Sequence, residues 1–132
     1  MTRPAPVLGV GIDLCEVARI ERAVERHGSR FVRRVFAACE IRSCRGRPVE
    51  HLAARFAAKE AFAKAVRARR VPWRDVFVAT APGEPPRLEL RGEARKAAAR
   101  CGADRALVSL AHDGGVAAAV VVVLSAADEG HR

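Results

Sequence analysis

The chain has 132 residues, a net charge of +9, and a composition that is 50% hydrophobic and 30% charged with only 5% aromatic residues. That length buries an ordinary core, so one domain over residues 1–132 is expected, and the positive field suits phosphates or an acidic protein partner. Too few aromatics stand free for base stacking, and the longest apolar run, Val116 to Leu124, is too short to span a bilayer; nucleic-acid and membrane roles are disfavoured.

After a Pro-containing start, Thr2 to Pro6, the run Val7 to Ile12 reads as a buried strand delivering Asp13 to its C-terminal end. From Glu16 to His27, Val17, Ile20 and Val24 recur at helical spacing with Arg19, Arg22 and Arg26 on the opposite face, and Gly28 supplies a stop. Two short helices are expected between Ser29 and Arg47. The alanine-rich stretch from Val49 to about Arg67 predicts one helix of roughly 27 Å, with Ala53, Ala57, Glu60 and Lys64 on one face. Val76 to Ala79 and Arg87 to Arg91 read as a hairpin around Pro82 to Pro86. Glu93 to Cys101 suits a short helix ending at Gly102, and Ala106 to Ala111 and Val116 to Leu124 form a second hairpin with His112 at its mouth. A frayed polar tail is expected from Ser125. The sum is an α+β fold, a mostly antiparallel sheet packed against one long helix and several short ones.

Cys15, Cys39, Cys44 and Cys101 form no CxxC pair and no zinc spacing, so reduced thiols are expected. With no N-terminal signal pattern, the expected location is cytoplasmic.

Glu60 and Lys64 stand four apart in the favourable acid-before-base order, which by itself means a surface salt bridge. Small residues around them (Ala57, Ala58, Ala61 and Ala63) leave room for close packing or a ligand. Asp13 could simply cap the next helix, and His112 could be a turn histidine.

Three strings give these residues a common context: Gly9 to Leu14 (GVGIDL), Arg55 to Ala65 (RFAAKEAFAKA) and Ser109 to Asp113 (SLAHD). In order and spacing they resemble the signature blocks of holo-[acyl-carrier-protein] synthases, a family of 4′-phosphopantetheinyl transferases, and Phe31 to Glu40 resembles the segment between them. The resemblance implies a 4′-phosphopantetheinyl transferase-like fold, and a magnesium-dependent transfer of the phosphopantetheine arm of coenzyme A to a serine of an acidic acyl carrier protein, with release of adenosine 3′,5′-bisphosphate. It implies Asp13 and Glu60 as Mg2+ ligands, Lys64 on the coenzyme pyrophosphate, and His112 on a phosphate or in proton movement. Arg55 and Lys59 of the middle block would add to the coenzyme site. Arg19, with Arg22 and Arg26, would dock the carrier protein, and the assembly would be a homotrimer with sites at subunit interfaces. Two carboxylates with water and phosphate suit magnesium, and Glu60, His112 or a metal-bound water could take the serine proton, with Glu60 acting through water favoured. His27 and His51 lie outside the blocks and are expected to be indifferent.

The chain departs from the family's pattern twice. Where relatives carry a glycine-rich loop, Val66 to Trp73 has no glycine, so Arg67, Arg69 or Arg70 would replace backbone amides as phosphate contacts. Ala111 stands where a hydroxyl residue is usual. The rival readings are a catalytically weakened carrier-protein binding module and a basic nucleic-acid binder using Arg67, Arg69 and Arg70.

Overall fold

A computed structural model describes residues 6–125, so most of the Pro-containing start and the polar tail lie outside the described residues. Strand β1 (Val7–Glu16) passes directly into α1 (Val17–His27), followed by two seven-residue helices, α2 (Ser29–Val35) and α3 (Ala38–Cys44), and the long α4 (Glu50–Ala65). A single 3-10 turn, Trp73–Asp75, leads into β2 (Val76–Ala79), β3 (Arg87–Leu90), α5 (Gly92–Arg100), β4 (Arg105–Asp113) and β5 (Val116–Leu124). The strands form two antiparallel sheets, β1-β5-β4 and β2-β3, so the expected α+β architecture is present with its sheet in two pieces.

Three boundaries differ from expectation, each for a physical reason. Strand β1 runs to Glu16 because it pairs with β5 as far as Glu16 opposite Val116, so Asp13 sits inside the strand, opposite Ala119, and caps no helix. His112 likewise lies within β4, opposite Ala117, because the hairpin closes on only Gly114 and Gly115. Both glycines have positive φ, 56° and 82°, as a two-residue turn of the primed kind requires. Helix α4 stops at Ala65, and Arg67 adopts a left-handed φ of 59° that ends the rod two residues before the expected limit.

The core lies between α4 and the larger sheet. Ala53, Ala57 and Ala61 are fully buried, and the inward residues of β5, Ala117, Ala119, Val121 and Val123, meet them from the sheet. Register puts Gly9, Gly11, Asp13 and Cys15 of β1 on that same inner face. A Cβ at Gly11 would strike the Ala61 carbonyl oxygen, and one at Gly9 the Ala65 carbonyl oxygen. Only glycine therefore lets β1 approach the helix backbone this closely, which brings Asp13 within reach of the end of α4.

The outer face of the same sheet is apolar and open. Val10, Ile12 and Leu14 of β1 and Leu107 of β4 are each more than half exposed.

Candidate active site

Helix α4 carries two lysines whose fates differ. Lys59 is buried, and its ammonium donates to Glu40 Oε1 at 2.7 Å, to the Trp73 carbonyl at 3.0 Å and to the Val76 carbonyl. Glu40 is wholly buried and also accepts from the Ala37 and Val78 amides at 2.9 and 2.8 Å. Burial pushes the Lys59 pKa below the ordinary lysine value, with the Glu40 charge opposing that shift. All three ammonium protons are used inside the protein, so the expected coenzyme contact by Lys59 is corrected: it joins α3, α4 and β2.

Lys64 is half exposed, and it reaches across to β1. Its ammonium donates to Asp13 Oδ1 at 2.8 Å and to the Ile12 carbonyl at 3.0 Å. The helical pair expected between Glu60 and Lys64 is therefore not the one formed, and half-buried Glu60 makes no ion pair among the described residues. Both carboxylates lie near Cys15, whose thiol is pushed up mainly by burial, against the Arg19 charge, with Asp13 and Glu60 adding.

The donor set suits a divalent cation only together with ligands from outside the chain. No cluster of three or more His, Cys, Asp and Glu occurs among the described residues. The two carboxylates are hard oxygen donors suited to magnesium, which completes its shell from water and substrate phosphate. The Lys64 ammonium, held between Asp13 and a backbone carbonyl, shows that this spot accepts positive charge.

Beside Glu60 a cleft of about 420 Å3 is lined by Lys59, Ala63, Arg69, Arg70 and Trp73 among others, with the Lys59 ammonium already held by its interior partners. Arg69 and Arg70 thus stand where a phosphate approaching Glu60 would meet them, while exposed Arg67 is not part of that wall. Trp73 stacks on Phe56 at 5.1 Å, and Arg19 lies over the same phenyl ring at 5.1 Å. Arg19, Arg22 and Arg26 are exposed on α1 while Val17 and Ile20 are buried, as the sequence pattern predicts, and no ion pair ties them to Glu21 or Glu25 among the described residues.

His112 belongs to the other side of the helix. At about 100° per residue, His51 and Glu60 project about 180° apart around α4, as do Arg55 and Lys64. His112 packs edge-on to His51 with ring centroids 5.7 Å apart. A second cleft, of about 600 Å3, lies on that flank and is lined by Arg42, Arg45, Arg47, His51 and Arg55 among others. Arg55 is buried, donating to the His51 carbonyl at 3.1 Å and towards Ser43, while its Nε has no partner among the described residues. Burial, with the charges of Arg47, Arg55 and His112, holds the His51 pKa below the ordinary histidine value. His51 was thus missed by sequence reasoning. The signal available was the run of arginines just before α4 together with the four-residue step from His51 to Arg55.

In the sheet, Asp13 on β1 and His112 on β4 face the helix with β5 between them, about 10 Å apart across the strands. In one copy, then, Glu60, Arg69 and Arg70 line one cleft and Lys64 bonds to Asp13, with both carboxylates acting on Cys15, while His112, His51 and Arg55 gather on the other flank. A further cleft of about 480 Å3 between β3 and β4 carries mixed charge, including Glu89, Arg95 and Asp104, and none of these residues.

The family model for the 4′-phosphopantetheinyl transferase superfamily matches residues 9–121. The chain belongs to that superfamily. Its relatives include holo-[acyl-carrier-protein] synthases of Moorella thermoacetica, 42% identical over 93% of this chain and 98% of the relative, and of Anaeromyxobacter dehalogenans, 44% identical over 89% and 95%. Among solved structures it is similar to the Helicobacter pylori holo-[acyl-carrier-protein] synthase in complex with coenzyme A, with TM-score 0.75 and 32% identity over 86% of this chain and 98% of that one. The Neisseria meningitidis synthase gives TM-score 0.79 and 30% identity over 89% and 98%. Membership decides for a phosphopantetheinyl transferase, an enzyme, over a basic nucleic-acid binder.

Proposed function

We propose that this phosphopantetheinyl transferase moves the phosphopantetheine arm of coenzyme A to a serine of an acidic apo acyl carrier protein, with magnesium, in a site completed between copies of a homotrimer. The observation that carries this reading is the division of charged groups between the two flanks of α4: two carboxylates and a lysine on one, a basic cleft with two histidines on the other. Coenzyme A carries a pyrophosphate and a separate phosphate on its ribose, which need both kinds of group.

On the first flank Asp13 and Glu60 would hold the metal. When bound, magnesium supplies charge neutralisation for the pyrophosphate. Lys64, Arg69 and Arg70 meet the same phosphates as fixed cations, which suits a transfer governed by alignment and electrostatics. Glu60 takes the serine proton through a water. On the second flank Arg42, Arg45, Arg47 and Arg55, with His51 and His112, receive the coenzyme's remaining phosphate. His112 then donates a hydrogen bond to that phosphate.

Because one chain separates these halves, a neighbouring copy supplies the second. The open apolar face built on Val10, Ile12, Leu14 and Leu107 is the cover such an assembly would need. Arg19, anchored over Phe56 next to the Glu60 cleft, starts a docking stripe for the carrier that continues through Arg22 and Arg26. No helix among the described residues is long and apolar enough to cross a membrane, and the proposed setting is the cytoplasm.

The test is incubation with apo carrier protein, coenzyme A and magnesium, followed by intact mass. A mass gain of one phosphopantetheine on the carrier is expected. A catalytically weakened binding module would instead retain the carrier on a column without modifying it.

A further inference from the structure

We infer that Lys64 is a built-in counter-ion that competes with the metal for Asp13, so that coenzyme and metal each strengthen the other's binding. This rests on the metal reading of Asp13 and Glu60 given above. Its own basis is the geometry of the ammonium, which is shared between Asp13 Oδ1 at 2.8 Å and the Ile12 carbonyl at 3.0 Å and makes no hydrogen bond or ion pair with Glu60. Asp13 is mostly shielded, whereas Lys64 is 58% exposed at its side chain. The carboxylate is thus fixed by the strand, and the cation on it sits at the end of a flexible stem that solvent already reaches.

One lysine cannot serve two anions at full strength. While the ammonium stays on Asp13, it occupies one oxygen and repels an arriving dication. A pyrophosphate entering the cleft of Glu60, Arg69 and Arg70 offers the same ammonium a doubly charged partner, and moving Lys64 there frees Asp13. Neutralising the phosphate and opening the metal site are then one motion of one side chain. By linkage, each ligand strengthens the other. Lys59, five residues earlier, is unfit for such a role because its three donors are fixed in the interior.

The experiment is calorimetry of Mn2+ or Mg2+ binding to the full-length protein, without nucleotide and then with saturating coenzyme A. Without nucleotide, Lys64→Met should bind metal about fivefold more tightly than the wild type, the scale of a partly exposed ion pair. Arg69→Met removes an equal charge from the cleft beside Glu60, where Arg69 makes no bond to Asp13, and it should shift metal affinity by less than about twofold. With coenzyme A present, the advantage of Lys64→Met should vanish. Unchanged or weaker metal binding by Lys64→Met overturns the inference. So does an equal effect of Arg69→Met, which would mean a general field, or an advantage that persists with coenzyme A, which would mean that the ammonium never leaves. Asp13→Asn and Glu60→Gln separate the two levels: if neither weakens metal binding, the metal reading itself falls and takes the inference with it.

Discussion

Two lysine–carboxylate pairs lie five residues apart along α4, and they differ in nearly everything but chemistry. Glu40–Lys59 is sealed among α3, α4 and β2, with every ammonium proton assigned. Asp13–Lys64 stands at the edge of the sheet with solvent on the lysine. Both close at nearly the same distance, 2.7 and 2.8 Å. A buried pair cannot exchange partners without stranding a charge, whereas an exposed pair exchanges at little cost. The first therefore holds the fold together and the second remains available for a ligand.

The comparison breaks most visibly through Lys59. Lys59→Met should destabilise the protein by about 3–5 kcal/mol, because Glu40 is left as a buried, unpaired charge, and thermal or urea unfolding measures this. Lys64→Met should cost no more than about 1 kcal/mol in the same assay. Equal losses would erase the distinction between the two sites.

Catalysis should show the reverse order. Asp13→Ala and Glu60→Ala are each expected to lower the transfer rate by on the order of 10² to 10³, the range for deleting one preorganised electrostatic group, while the melting temperature barely moves. His27→Ala should leave the rate intact. His51 is no longer an indifferent control, since it packs on His112 and lines the basic cleft.

A smaller effect is expected at the docking stripe. Arg19→Glu with Arg26→Glu should reduce efficiency towards the carrier protein by about tenfold at low salt, with the difference shrinking as salt rises. Coenzyme A affinity should stay within about twofold of the wild type, because the stripe acts on encounter with the carrier. Loss of both in parallel would move the stripe into the coenzyme site.

The smallest effect concerns pH. The His51 pKa lies below the ordinary histidine value because of burial and the cations around it, so the ring is neutral at neutral pH. A phosphate in the cleft stabilises the protonated ring, so binding takes up a proton and tightens as pH falls from about 7.5 towards 6. His51→Gln should flatten that dependence by a few-fold relative to the wild type, measured by calorimetry at several pH values. An identical slope would remove His51 from the phosphate site.

Much of this arrangement was legible in the sequence where local pattern decides it. The apolar spacing of Val17 and Ile20, the alanines of α4 and the Gly114-Gly115 turn each predict their elements, and the three blocks carrying Asp13, Glu60 and His112 identify the chemistry. Tertiary pairing was not legible. Lys59 finds Glu40 nineteen residues away, and Lys64 finds Asp13 fifty-one residues away, so helical spacing pointed Lys64 at Glu60 instead. His51 was passed over because its partner, His112, lies on the far hairpin. The extension of β1 past Asp13 depends on pairing with β5, which local periodicity does not report.

If the two flanks of α4 in one chain serve two different sites, mixing two inactive variants reveals it directly. Glu60→Ala spoils the carboxylate half and His112→Ala the basic half, so each alone should give little mass gain on apo carrier protein. Co-expressed and purified as mixed oligomers, they should recover transfer, because some interfaces then pair an intact carboxylate half with an intact basic half. If mixed oligomers form and transfer stays at the level of the single variants, both halves act within one chain and the account is contradicted.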